Sequence, residues 1–163
     1  MPVGSCKAES LSEPVFRRAR RDDLPAIVAL LADDDVNGWR EAPGEPLAES
    51  YVRAFQAIDS DPNNELVVGE IDGKVVATAQ ITYAPNLTQQ GAWRAIIEGV
   101  RVSSQLRSHG VGEMLIAHMN NLARARGCPS TQLTTSNPRR RAHAFYARIG
   151  FAQSHLGFKR ELT

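Results

Sequence analysis

The chain has 163 residues, of which 42% are hydrophobic and 23% charged, which fits one globular domain and argues against two independent ones. Nineteen Lys and Arg residues against 18 Asp and Glu residues leave a net charge of +1, which argues against a general nucleic-acid binder. No apolar stretch is long enough for a membrane span, and Cys6 and Cys128 indicate neither a disulfide framework nor a metal site, so a cytoplasmic setting is expected.

The opening residues, 1–13, are rich in Ser, Pro and Gly and lack the apolar segment of a signal peptide. Their low hydrophobicity predicts a disordered tail, followed by one folded domain over residues 14–163. A short first strand is predicted over Val15–Arg20.

Two amphipathic helices are predicted next. The first runs from Leu24 to Leu31, with Asp22 and Asp23 as candidate N-caps. The second covers residues 47–58, where apolar side chains recur at helical spacing. The run Asp33–Asp35 is interpreted as a solvated helix end, although its negative charge opposes the helix macrodipole. A metal site is the weaker alternative because no further ligands follow at fixed spacing.

A β-hairpin is the clearest local prediction. Two β-patterned runs, Leu66–Ile71 and Lys74–Tyr83, flank an Asp-Gly pair, which is the strongest short-range hairpin signal. A polar loop follows at 85–91, and the β-branched run Trp93–Val102 predicts a long central strand.

The last third of the chain alternates helices and strands. One helix is predicted from the glycines at 110 and 112 to Gly127, and a second from Asn137 to Gly150. Strands are predicted over Thr131–Thr135 and Gln153–Leu162. This order predicts a mixed α/β fold with a mostly antiparallel central sheet of six to seven strands and about four helices.

A turn that reads R-x-x-G-x-G, residues 107–112, lies between a predicted strand and a predicted helix. Glycines let backbone N–H groups approach an anion, and the first turn of a helix adds about half a positive charge. A dinucleotide fingerprint would need glycine where Leu115 stands, and a P-loop would need Gly-Lys-Ser/Thr. The turn therefore favours a pyrophosphate site of another kind, with a glycine-containing helix start that binds nothing as the alternative.

The surrounding residues resemble the GCN5-related N-acetyltransferase (GNAT) family over Val15–Leu162. The run Val100-Arg101-Val102 precedes the turn, and the family's closing N…A…FY…GF signature begins at Asn137, thirty residues after Arg107. The resemblance implies the acyl-CoA N-acyltransferase fold, in which the fourth and fifth strands splay apart. It also implies that acetyl-CoA is the acetyl donor and that no metal cofactor is involved.

The resemblance further implies which residues hold the cofactor. The strand before the turn would offer backbone groups to the pantetheine amides, and the turn would wrap the pyrophosphate with main-chain N–H groups. The three arginines 139–141 either contact the 3′-phosphate or form a solvated helix start. The residues assigned to the cofactor are Val100, Arg101, Val102, Arg107, Ser108, His109, Gly110, Val111, Gly112, Glu113 and Asn137.

Acyl transfer from a thioester to an amine requires a base for the amine and an acid for the leaving thiolate. Glu98, on the central strand, is the candidate general base, acting directly or through water. Its alternative is an ion pair with Arg94 or Arg101. Tyr146 resembles the family tyrosine that points at the coenzyme sulfur, and its ordinary pKa of about 10 exceeds the roughly 8.5 of a thiol. It is the candidate general acid, with simple packing as its alternative.

The expected activity is transfer of an acetyl group from acetyl-CoA to a primary amine of a small molecule or a protein. A noncatalytic acyl-CoA binding or sensing module is the alternative, and a nucleotide-binding regulatory domain comes third. Neither nucleic acid nor membrane is expected as a partner, and exposed sheet edges suggest a homodimer. Candidate residues for the acceptor pocket are Tyr51, Phe55, Asn86 and Trp93.

Overall fold

Five strands form a single sheet in the computed structural model, which describes residues 12–162. The strands lie side by side in chain order, the first four antiparallel and the fifth parallel to the fourth. This is the mixed, mostly antiparallel sheet that was predicted. The predicted tail lies outside the described residues, apart from positions 12 and 13. The strands are β1 (Val15–Arg18), β2 (Asn64–Ile71), β3 (Lys74–Ala84), β4 (Arg94–Val102) and β5 (Thr131–Gln132).

The β2–β3 hairpin is confirmed. Asp72 and Gly73 both have positive φ, at 49° and 77°, as a two-residue turn of type I′ requires. Glycine adopts this conformation without steric cost, and aspartate is one of the few other residues that tolerate it. The turn fixes the register in which Val67 lies opposite Ala79, both fully buried.

Helices cover both faces of the sheet. On one face, Ile27 and Phe55, from the first two helices, pack with Val68 of β2. On the other face, Leu115, from the third helix, packs with Ile97 of β4. Within residues 12–162, none of the helices has the length and apolarity that a bilayer crossing requires. The longer helices are α1 (Leu24–Ala32), α2 (Glu49–Ser60), α3 (Val111–Ala125) and α4 (Arg140–Arg148), and a single helical turn covers Thr88–Gly91.

Asp23 occupies the N-cap position of α1, but its side chain does not cap the helix. Its carboxylate instead receives two hydrogen bonds from Arg17, at 2.7 and 2.9 Å. These hydrogen bonds hold the pKa of Asp23 below its ordinary value, against the opposing effect of burial. The Arg17–Asp23 interaction therefore connects β1 with the start of α1.

The predicted final strand, Gln153–Leu162, is wrong. The segment has no regular structure, and Leu156 and Phe158 are 81% and 95% exposed. A strand needs a hydrogen-bonded neighbour, and β5, the strand at that edge of the sheet, extends over two residues instead of the predicted Thr131–Thr135. The described sheet therefore has five strands rather than six to seven.

Candidate active site

The sheet opens between β4 and β5. The two strands pair only at Ala95 with Thr131 and at Ile96 with Gln132. On its other side β4 continues to pair with β3 as far as Val102. The edge of β4 from residue 97 onward therefore presents backbone N–H and C=O groups to the gap, where an extended ligand can pair with them. The predicted separation of the fourth and fifth strands is confirmed.

The R-x-x-G-x-G turn leads from this edge into α3. Gly110 is the N-cap residue, and its φ of 84° favours glycine. No side chain caps α3, and the amides of Val111, Gly112 and Glu113 are first-turn donors without intrahelical acceptors. Phe145 of α4 would lie 3.4 Å from a Cβ at Gly112, so α4 packs beside this turn. The turn can thus present backbone donors to an anion.

Side chains of the same turn are held by other parts of the protein. The Arg107 guanidinium lies 3.4 Å from the Asp33 carboxylate, and Glu113 forms an exposed ion pair with Arg148 at 2.9 Å. The His109 Nδ1 lies 3.0 Å from the Arg107 carbonyl oxygen. Asn137 is exposed, just before α4. At this turn the backbone is consequently more available to a ligand than the side chains are.

A β-bulge in β4 changes which side chains share a face. Arg101 lies opposite Thr78 and Glu98 opposite Gln80, with a register shift between the two pairs at Gly99, whose φ is 61°. Regular alternation would place Glu98 and Arg101, three positions apart, on opposite faces. The bulge places both on the face covered by α1 and α2.

Glu98 is exposed on this face. Its anticipated alternative, an ion pair with Arg101, is not formed, because Arg101 binds Asp34 instead. Among the described ion pairs none involves Glu98 or Arg94. The carboxylate of Glu98 is therefore accessible from solvent on the same face as Arg101.

Tyr146 lies on α4, edge-on to Phe145 and Phe151 at ring-centroid distances of 5.1 and 5.7 Å. Burial raises the pKa of its hydroxyl, and the positive charges of Arg101 and Arg139 partly offset that rise. Tyr146 is therefore protonated at neutral pH and lies within electrostatic range of both guanidiniums. The aromatic packing of Tyr146 is therefore compatible with a position near Arg101 and Arg139.

The interpretation of Asp33–Asp35 as a solvated helix end is wrong for Asp34. Its side chain is 5% exposed, and its Oδ2 receives a hydrogen bond from Arg101 at 2.8 Å and a second one from Arg139. Burial alone would raise its pKa, but the hydrogen bonds from Arg139 and the Val36 amide, with the charges of both arginines, hold it below its ordinary value. We call Asp34, Arg101 and Arg139 the charged cluster.

The sequence offered two weak signals for this cluster. Negative charge at the end of α1 opposes the helix macrodipole, which a nearby cation would offset, although no such cation was predicted. Arg139, the first of the three arginines 139–141, supplies that cation, and it is not part of a solvated helix start, since its side chain is 20% exposed. Joining residues 34, 101 and 139 required the tertiary structure.

Other reactive side chains have structural roles. His118 stacks on Phe16 at 5.3 Å, and burial lowers its pKa. Burial raises the pKa of the Cys128 thiol.

Of the predicted acceptor-pocket residues, Phe55 belongs to the core and cannot line a pocket. Asn86 and Trp93 line a shallow hollow of about 270 Å³ in the loop before β4. Across residues 12–162, no group of three or more His, Cys, Asp or Glu side chains is arranged to hold a metal ion.

Comparisons with known proteins agree with this geometry. The model of the acetyltransferase (GNAT) family matches residues 24–151. Aminoalkylphosphonate N-acetyltransferase of Salmonella typhimurium is 29% identical, over 90% of this chain and 90% of that protein. Phosphinothricin N-acetyltransferase of Alcaligenes faecalis is 30% identical, over 88% of this chain and 74% of that protein. A crystal structure from Bacillus halodurans C-125, described as a transcriptional regulator, is 44% identical with a TM-score of 0.89, covering 91% of this chain and 99% of that chain.

Proposed function

Because the chain belongs to the GNAT acetyltransferase family, and is thus an acyl-transferring enzyme, we propose that it moves the acetyl group of acetyl-CoA to a primary amine of a small molecule. The observation that carries this proposal is the open edge of β4, which leads directly into the uncapped first turn of α3. An extended arm containing amides can pair with such an edge while its diphosphate meets the amides of the turn.

The cofactor is proposed to follow this path. The backbone groups of Val100 and Val102 would pair with the pantetheine amides, with the Arg101 side chain on the opposite face. The main-chain N–H groups of the turn, from Arg107 to Glu113, would surround the diphosphate. Asn137 would approach the pantetheine arm from the start of α4. Positive φ at Ser108 and Gly110 supports this role, because left-handed residues next to right-handed ones form the anion-binding concavities of such turns.

The chemistry requires a neutral amine. Glu98 would accept a proton from the substrate ammonium, directly or through water, and the amine nitrogen would then attack the thioester carbon. A backbone N–H of β4 near Val100 would stabilise the oxyanion of the tetrahedral intermediate. As the carbon–sulfur bond breaks, the Tyr146 hydroxyl would give its proton to the thiolate, so that coenzyme A leaves as a thiol. The resulting tyrosinate would then take the remaining extra proton of the amide nitrogen, directly or through water.

The names of the relatives support an amine acceptor, since both enzymes reported above are N-acetyltransferases. Aminoalkylphosphonate, the acceptor in one of those names, is a small amine. A small molecule is therefore favoured over a protein as the acceptor of this chain.

Thiol release from acetyl-CoA in the presence of a panel of amines tests the proposal. We expect Glu98→Gln to lower kcat at least about 100-fold, the usual contribution of general base catalysis. The matched control is Glu49→Gln, an exposed carboxylate on α2, which should leave kcat unchanged. Equal activity of the two variants would remove Glu98 as the base. Absence of thiol release with every amine would reject the proposed activity itself.

A noncatalytic acyl-CoA sensing module is the second candidate, and one observation favours it. The 44% identical protein of Bacillus halodurans is described as a transcriptional regulator. A sensor would bind coenzyme A with a saturable heat in calorimetry but release no thiol above background with any amine. The exposed carboxylate of Glu98 and the protonated hydroxyl of Tyr146 favour the enzyme.

A further inference from the structure

The charged cluster joins three separate parts of the chain. Asp34 follows α1, Arg101 lies on β4 near the open end of the sheet, and Arg139 directly precedes α4. Both guanidiniums donate to the same oxygen, Oδ2 of Asp34. The cluster therefore connects the end of α1 with β4, which borders the β4–β5 gap, and with the start of α4.

Its charges do not cancel. One carboxylate, kept ionised by its low pKa, faces two guanidiniums, so the cluster has a net charge of +1. A second Arg101 nitrogen donates to the Val100 carbonyl at 2.8 Å, whereas the Arg139 side chain keeps 20% of its surface exposed. The cluster thus has a positive charge to spare and, in Arg139, a partly exposed guanidinium that can meet a further anion.

The cluster also adjoins the reaction centre. The β-bulge puts Arg101 on the same face as Glu98. Their partners on β3 are only two residues apart, so the two positions lie about 7 Å apart along the strand at roughly 3.3 Å per residue. Both guanidiniums act electrostatically on Tyr146. A small molecule on this face can therefore reach the proposed base with one end and the cluster with the other.

We propose that Arg101 and Arg139, positioned by Asp34, bind an oxyanion of the acceptor, so that the preferred substrates are small amines with a phosphate, phosphonate or carboxylate group. This inference rests on the proposed function and specifies the substrate of the same site. The guanidinium fork matches such oxyanions in bidentate geometry, and Asp34 fixes the orientation of both forks. The amine of such a substrate would face Glu98.

Two matched pairs of acceptors test the inference. Phosphoethanolamine is compared with ethanolamine, and β-alanine with its neutral amide, by thiol release from acetyl-CoA. We expect kcat/KM to be at least about tenfold higher for the anionic member of at least one pair, as for charge-assisted hydrogen bonds. The two pairs distinguish a phosphate from a carboxylate as the preferred group. Equal kcat/KM within both pairs would overturn the inference.

Variants locate the anion. Arg139→Gln should reduce the preference within the favoured pair about tenfold or more, through KM for the anionic amine. Asp34 keeps its hydrogen bonds from Arg101 and the Val36 amide in this variant, so the fold should persist. Arg139→Lys, which keeps the charge but loses the fork, should lose part of the preference. Arg53→Gln, at an exposed arginine on α2, is the control and should change neither the ratio of kcat/KM within the pair nor KM for the anionic amine.

Two further results separate the possible failures. A rise in KM for acetyl-CoA in Arg139→Gln, with an unchanged preference between the paired amines, would assign the cluster to a cofactor phosphate and overturn the inference. If no amine releases thiol, the proposed function fails, and calorimetry decides about the anion site. A saturable heat from phosphoethanolamine with the coenzyme A-loaded protein, lost in Arg139→Gln, would support the inference, and absence of any heat would overturn it.

Discussion

Gly99 provides a sharp test of the site, because its positive φ creates the bulge that places Glu98 and Arg101 on one face. A Cβ at this position would meet no atom within 4 Å, so Gly99→Ala acts through backbone strain and not through a clash. The left-handed conformation costs an L-residue roughly 1–2 kcal/mol. The smaller entropy of the unfolded alanine chain returns about 0.4–1 kcal/mol. The expected net loss in unfolding free energy is about 1 kcal/mol.

The matched control is Gly127→Ala. Gly127, just after α3, has a φ of 77° and equally open surroundings, but it lies at the end of α3 remote from the R-x-x-G-x-G turn. Both variants should therefore lose about 1 kcal/mol in urea unfolding, or roughly 2–4 °C in Tm. Only Gly99→Ala should lose activity.

The activity loss follows from geometry. If β4 relaxes toward regular alternation, Glu98 and Arg101 no longer share a face, and a displacement of about 1 Å can cost a factor of about 100 in rate. We expect kcat/KM for the anionic amine to fall at least tenfold in Gly99→Ala and less than twofold in Gly127→Ala. Equal kcat/KM values in the two variants would refute the role of the bulge, and an unchanged Tm in both would refute the strain argument.

Three further changes test other parts of the structure. Asp34→Asn should cost about 2–3 kcal/mol of unfolding free energy, because two guanidiniums lose their shared counter-charge and are only about a fifth exposed. Because folding lowers the pKa of Asp34, its contribution to the unfolding free energy is complete above its unfolded pKa of about 3.9 and disappears as pH falls through the folded pKa. Urea unfolding at acid pH should therefore show a smaller loss of unfolding free energy in the variant than in the wild type. Leu115→Ala, at a fully buried position, should cost about 3 kcal/mol, whereas Leu87→Ala, at a 96% exposed one, should stay within about 0.5 kcal/mol. Tyr146→Phe should lower kcat about 10–100-fold at pH 7 with KM for acetyl-CoA unchanged, and since burial raises the pKa of Tyr146, wild-type kcat should not decline through this group below about pH 10. A profile with an earlier decline that Tyr146→Phe abolishes would contradict that assignment.

Local signals predicted most of the fold. The Asp72-Gly73 turn could be predicted because its backbone conformation depends on two adjacent residues. The helix after the R-x-x-G-x-G turn could be predicted as well, since its apolar face and its glycine N-cap lie within one short segment. The final strand failed for the opposite reason, because strand formation over Gln153–Leu162 requires a neighbour that the local pattern cannot reveal.

The charged cluster could not be predicted because it depends on contacts between distant positions. Nothing in the neighbourhood of Asp34 distinguishes a solvated carboxylate from a buried one, and its partners lie 67 and 105 positions away. No bulge was predicted at Gly99, although a glycine within a strand pattern often marks one. Its consequence, the shared face of Glu98 and Arg101, emerged only from the register with β3.

A crystal structure of the protein with coenzyme A tests the central claim most directly. We expect the pantetheine arm to lie in the β4–β5 gap, with its amides on the backbone of Val100 and Val102 and its diphosphate on the main-chain amides of the turn from Arg107 to Glu113. Coenzyme A bound elsewhere, with the gap closed by side chains, would contradict it.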